Sequence, residues 1–337
     1  MTVLKMYWIL STSDEISILK NSLNRSYGIE CTEEKHMTTI PEPTFDALLP
    51  PAMAARAEQV GLNKARLETA NTFLLAVLAG AFIALGAVFA TTVTAGAAGV
   101  LTYGVTRLLG GLVFCLGLIL VVVAGAELFT GNNLIVMAWA SGKVTTAQLL
   151  RNWVIVYVGN FVGSITTALL IFLSGQYAFG SGAIGLNILN VANAKASLGF
   201  VQAIVLGILC NALVCLAVWL TYSARTTTDK ILAILFPITA FVAAGFEHSV
   251  ANMYFIPVGL FVKGGAPAEF WTQIGKTVAD YGNLTWQAFL INNLIPVTIG
   301  NIIGGTVLVG IIYWRIYSPR SQDASKNPQT QPSLSRS

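Results

Sequence analysis

His248 is the side chain best suited to chemistry in this sequence. An imidazole has an ordinary pKa of about 6.5, so it can change charge near neutral pH. It stands in Gly245-Phe246-Glu247-His248-Ser249-Val250-Ala251-Asn252, a polar interruption inside a long apolar run. A second interruption, Glu127 with Thr130, Gly131, Asn132 and Asn133, breaks an earlier apolar run. Ionisable groups at membrane depth cost about 2.5–3.5 kcal/mol on insertion scales, so they face the protein interior or a water path. A lone histidine on an apolar segment is most simply a core residue bonded to a carbonyl. A position in a break beside Glu247 and Ser249 argues instead for function. His36, the other of the two histidines, lies in a polar stretch and reads as exposed. Two histidines make no metal cluster, and no cofactor is expected. His248-Ser249 suggests a hydrolase only superficially, because adjacent residues cannot form a nucleophile–base pair and no G-x-S-x-G is present. A membrane-embedded enzyme is therefore the remote alternative to a transport protein.

The elements that position these groups follow from composition. The chain has 337 residues, 55% hydrophobic and 10% charged, against about 25% charged in a soluble domain. Lipid must be its main solvent. The net charge of +4 is spread over loops and tails, which argues against nucleic-acid binding. Cys115, Cys210 and Cys215 lie in apolar runs and, with Cys31, lack metal spacing; they read as packing residues. Six segments are long enough to cross a bilayer, near 71–94, 107–140, 150–173, 200–222, 231–262 and 288–314. An amphipathic helix is expected over 44–68, with Leu48, Leu49, Met53, Ala57 and Val60 on one side, lying at the membrane interface. Residues 1–42 read as a polar, disordered extension without a convincing signal peptide, with Met37 an alternative start. Residues 43–316 form the transmembrane domain, and 317–337 a disordered cytoplasmic tail. Arg56, Lys64, Arg66, Lys143, Arg151, Arg225, Lys230, Arg315, Arg320, Lys326 and Arg336 fall on one side. Arg107, Lys195, Lys263 and Lys276 fall on the other. Both termini are thus expected in the cytoplasm, in a multi-pass protein of the inner (plasma) membrane.

The two interruptions match. Ala124-Gly125-Ala126-Glu127 precedes Asn132 as Ala244-Gly245-Phe246-Glu247 precedes Asn252, and Gly159-Asn160 parallels Gly300-Asn301 in the next span. Three spans per half force the second half into the membrane upside down, an inverted repeat whose substrate path runs between the halves. Each broken span leaves a half-helix N-terminus inside the membrane, which favours an anion. Thr130 and Ser249 are read as caps for those half-helices. Glu127 and Glu247, with Asn132, Asn252, Asn160 and Asn301, are read as structural residues that hold the breaks. Gly80, Gly86, Gly159 and Gly163 are read as sites of close helix packing. An aquaporin-type neutral pore is disfavoured because paired Asn-Pro-Ala breaks are absent.

These motifs, together with Asn152-Trp153, Cys210-Asn211 through Trp219 and Asn293-Leu294-Ile295-Pro296-Val297-Thr298-Ile299-Gly300-Asn301, resemble the formate/nitrite transporter family, and its formate-channel branch most. The resemblance runs from Phe45 to Trp314. It implies an all-α homopentamer of aquaporin-like protomers, each with its own pore. It implies His248 at the pore centre with Thr130 near it and Asn211 bonding nearby. Lys195 would draw anions into the outer vestibule, although an ordinary loop lysine fits equally well. Phe114, Leu118 and Phe241 would form one apolar constriction, and Leu128, Phe129 and Val214 the other. The substrate implied is formate, with nitrite or another small weak-acid anion as the alternative. It would cross partly as the protonated acid or as an anion escorted by His248, Thr130 and Asn211.

Overall fold

The structure is a computed structural model, and it describes residues 47–318. The polar extension with Cys31 and His36, and the tail beyond 318 with Arg320, Lys326 and Arg336, lie outside the described residues.

Among the described residues six helices are long and apolar enough to cross a membrane, and the chain is an all-α multi-pass membrane protein. The first described helix, α1 (Pro50–Arg66), starts on prolines, whose fixed φ and missing N–H suit a first helical turn. Its protein-facing side carries Met53, Ala54, Ala57, Glu58, Gly61 and Ala65. Leu49, expected on that side, is 73% exposed because the helix begins only after it. The spans follow as α2 (Thr69–Val93) and α3 (Tyr103–Gly125), then a short half-helix α4 (129–140) and α5 (Thr146–Leu173). The second half repeats the order. A short helix α6 (Ala183–Ala196) precedes α7 (Phe200–Ser223) and α8 (Thr227–Ala244). The half-helix α9 (Ser249–Gly265), a loop helix α10 (Ala268–Ile274) and α11 (Ala288–Tyr317) complete it.

Small residues explain how the spans pair. A Cβ on Gly80 would stand 2.1 Å from the Asn160 carbonyl oxygen, and one on Gly163 would stand 2.0 Å from that of Val77. In the second half a Cβ on Gly300 would stand 2.2 Å from the Ile204 oxygen, and one on Gly304 2.2 Å from that of Ile208. Backbone therefore touches backbone between α2 and α5 and between α7 and α11. In lipid, where no hydrophobic force drives helices together, such close packing supplies the attraction.

The two interrupted spans, α3 and α8, each stop at a glycine that turns left-handed: Gly125 at φ 82° and Gly245 at φ 79°. Glycine adopts this conformation without a Cβ clash. The extended residues that follow hydrogen-bond to the first span of their half. Glu127 N–H donates to the Leu75 carbonyl at 3.2 Å, and Glu247 N–H to that of Leu206 at 3.3 Å. The half-helices α4 and α9 then begin at Phe129 and Ser249.

Candidate pore site

The caps of the half-helices differ from the expectation. Thr130 is already the second residue of α4, and Ser249 is the first of α9, so neither side chain caps its own helix. The first N–H groups are instead taken by asparagines from another span. Asn160 Oδ1 accepts from Phe129 N–H at 2.9 Å, and Asn301 Oδ1 accepts from Ser249 N–H at 2.9 Å. Their amide nitrogens donate across each break, from Asn160 to the Ala76 and Glu127 carbonyls and from Asn301 to those of Gly207 and Glu247. A buried N–H without a partner costs about 1–3 kcal/mol, so one asparagine removes several such costs at once.

The two glutamates are held by matching networks. Lys64 Nζ lies 2.6 Å from Glu127 Oε1, while Asn132 Nδ2 donates to Glu127 Oε2 at 2.6 Å and to Asn152 Oδ1 at 2.9 Å. Lys195 Nζ lies 2.8 Å from Glu247 Oε1, while Asn252 Nδ2 donates to Glu247 Oε2 at 2.7 Å and to Asn293 Oδ1 at 2.7 Å. Asn152 and Asn293 close the loops by donating to the main-chain carbonyls of Lys64 and Lys195. Neither lysine was expected to pair with a glutamate.

The halves differ where the two half-helices begin, and there the site forms. His248 is the N-cap of α9, and its Nδ1 accepts from Ala251 N–H at 3.1 Å. A nitrogen that accepts carries no hydrogen, so the ring hydrogen of the neutral imidazole sits on Nε2. Nε2 lies 2.8 Å from Thr130 Oγ1, on the opposite half-helix. Thr130 Oγ1 can accept that hydrogen and keep its own for another acceptor. The repeat counterparts of these residues, Leu128 and Val250, are apolar and buried, so a single polar pair marks the middle. Asn211 hydrogen-bonds beside the ring and not to it. Its Nδ2 faces the Asn301 oxygen at 2.7 Å, Asn133 Oδ1 at 2.8 Å and the Thr130 oxygen at 3.3 Å, which steadies the turn carrying Thr130.

A cavity of about 670 Å³ opens above the pair, with His248 at its floor and Thr91, Asn187, Lys195 and Arg107 among its walls. Phe114 and Phe241 close in over the histidine, edge to face at 5.8 Å, and the Phe241 ring stacks on the imidazole at 5.9 Å. Phe255 stacks on Phe114 at 6.3 Å and lies under Lys195 Nζ at 5.3 Å. Thr130 is fully buried and His248 is 3% exposed, so only an edge of the histidine reaches the cavity that Phe114 and Phe241 also line. Leu118, Leu128, Phe129 and Val214 belong to the same buried core. Phe129 also packs on Tyr157 at 4.9 Å and on Trp153 at 6.2 Å. Among the described residues no group of His, Cys, Asp and Glu could hold a metal ion.

Residues 51–315 match the family described as formate/nitrite transporter. The chain belongs to the formate/nitrite transporter family. It is 50% identical over 273 residues to the formate channel FocA of Escherichia coli (strain K12), a match covering 81% of this chain and 95% of that protein. It is 46% identical over 265 residues to FocA of Haemophilus influenzae, covering 79% of this chain and 93% of that one. A solved structure of a pentameric formate channel with formate bound aligns with a TM-score of 0.71 at 48% identity, over 74% of this chain and 97% of that chain. This places the chain among transporters rather than enzymes.

Proposed function

We propose that the protein is a channel that carries small monovalent anions, formate above all, across the membrane through a path in each protomer of a homopentamer. The meeting of Thr130 Oγ1 and His248 Nε2 at 2.8 Å, below a cavity of about 670 Å³, carries this reading. Two half-helix N-termini with their positive dipole ends approach that pair, and an anion is the ligand such ends favour. The similarity to formate channels supports formate as the substrate and five copies as the assembly. Nitrite is the second candidate, because the site offers donors for one negative charge and no group that reads carbon.

The route follows from the hydrogen bonds. An anion enters the cavity, passes between Phe114 and Phe241, and meets His248 with Thr130. Crossing the apolar seal is the costly step, since a bare charge in low dielectric is strongly disfavoured. The Thr130 hydroxyl, with its oxygen held by the imidazole, donates its hydrogen to the anion and replaces part of the lost hydration. Placing a second proton on His248 would turn Nδ1 into a donor facing the Ala251 N–H and break the cap. The escorted anion is therefore favoured over prior proton transfer. Leu128, Phe129 and Val214 form the seal on the far side. The face bearing Arg56, Lys64, Arg66, Lys143, Arg151, Arg225, Lys230 and Arg315 lies in the cytoplasm, and the cavity opens outward.

The test is uptake of labelled formate and nitrite into proteoliposomes, with and without a pH gradient. Formate uptake without a gradient is expected. Absence of uptake of either anion under both conditions overturns the reading.

A further inference from the structure

Three ionised side chains line the outer cavity beside His248: Arg107, Lys195 and Glu247. Lys195 is the residue expected to attract anions, but its ammonium is bound to the Glu247 carboxylate at 2.8 Å. That pair is close to neutral when viewed from the vestibule. Arg107 has no carboxylate within ion-pair distance among the described residues. Its Nε donates to the Ala243 carbonyl at 3.1 Å, and its Nη2 donates to that of Val242. Both carbonyls belong to the last turn of α8, just before the break that leads to His248. The end of a helix carries about half a negative charge, so about half of the guanidinium charge is left over. A guanidinium has five N–H donors in a fixed fork. Nη1 has no hydrogen-bond partner among the described residues, and Arg107 is half-buried in the wall of the cavity.

We propose that Arg107 is the anion-binding residue of the vestibule: Nη1 receives the entering anion while Nε and Nη2 keep the end of α8 in place. The site lies upstream of the Thr130–His248 pair and rests on the proposed anion path. It divides the labour in the vestibule. Lys195 neutralises the buried Glu247, and Arg107 supplies the uncompensated charge that raises the local anion concentration. The same fork fixes the turn from which Phe241 reaches over the histidine. Arg107 thus links the arrival of an anion to the position of the aromatic seal.

The experiment reconstitutes the full chain and its R107Q and R107K variants, and measures formate uptake at low and high ionic strength. Steering by an exposed charge fades with salt. R107Q is expected to reduce uptake about fivefold at low ionic strength and to approach the unmodified protein at high ionic strength. R107K is expected to restore most of the low-salt rate. Equal uptake by R107Q and the unmodified protein at low ionic strength overturns the proposal. So does a loss that is independent of salt and shared by R107K, which would make the fork purely structural. A second measurement needs no variant. Phenylglyoxal modifies accessible arginines, and formate is expected to slow its reaction at Arg107, read by peptide mass spectrometry. No protection by formate overturns the proposal. Failure of the unmodified protein to take up formate or nitrite at all would instead reject the proposed function.

Discussion

Thr130 Oγ1 and His248 Nε2 stand 2.8 Å apart, one from each half of the repeat, and nothing in either half alone makes the site. The hydroxyl is the group left with a hydrogen to give. Thr130→Val keeps the shape and deletes that donor, and a lost hydrogen bond to a charged partner is worth about 1.5–3 kcal/mol. Formate flux through Thr130→Val is expected to fall by about tenfold or more, with Thr130→Ser retaining most of it. Proteoliposome uptake measures both. Equal flux in the valine variant and the unmodified protein would remove Thr130 from the path.

The imidazole tautomer can be observed directly, because the chain has two histidines and His36→Gln leaves His248 as the only labelled ring. Acceptance of the Ala251 N–H at 3.1 Å requires an unprotonated Nδ1. Nitrogen NMR of the labelled protein at neutral pH is expected to show a bare Nδ1 and a protonated Nε2. A ring protonated on Nδ1, or on both nitrogens, would contradict the capped geometry and revive proton transfer from His248.

Much of this arrangement is legible in the sequence. The paired breaks were visible because Glu and Asn are rare inside apolar runs and recur at one spacing, Glu127 with Asn132 and Glu247 with Asn252. The ion-pair partners are not legible there, because Lys64 and Lys195 lie outside the spans and read as ordinary flanking cations. A signal was nonetheless present: each lysine stands five residues before the first span of its half begins, at Thr69 and at Phe200. The caps escape a sequence reading for a different reason. Local capping rules look along one helix, whereas Asn160 and Asn301 reach their N–H groups from a span that is distant in sequence. Arg107 was hidden because two backbone carbonyls from α8 define its place, and carbonyls leave no trace in residue type.

The lysine–glutamate pairs lead to a prediction about stability. Glu247 is 5% exposed and Lys195 17% exposed at the side chain, so removing one partner strands a buried charge. Breaking such a pair costs about 3–5 kcal/mol, whereas neutralising both partners costs far less. Lys195→Gln is expected to lower the thermal midpoint in detergent strongly, and the double variant Lys195→Gln with Glu247→Gln to recover most of the loss. Lys64→Gln and its double with Glu127→Gln should behave alike, because the second network repeats the first. A double variant no more stable than the single one would show that the pair does not act through charge.

Two glycines separate close packing from backbone strain. A Cβ on Gly163 would lie 2.0 Å from the Val77 carbonyl oxygen, and backbone in the centre of a span cannot retreat without moving the helix. Gly163→Ala must therefore push α2 and α5 apart, which gives up the contact that pairs them. Gly245 is constrained differently. Its φ is 79°, but the nearest atom to an added Cβ is Arg107 Nη2 at 3.5 Å, an ordinary contact. Gly245→Ala pays mainly the left-handed penalty of about 1–2 kcal/mol. Gel filtration in detergent is expected to recover folded Gly245→Ala with a modestly lowered thermal midpoint, and little or no folded Gly163→Ala. Equal recovery of the two variants would mean that α2 and α5 are not held by backbone contact.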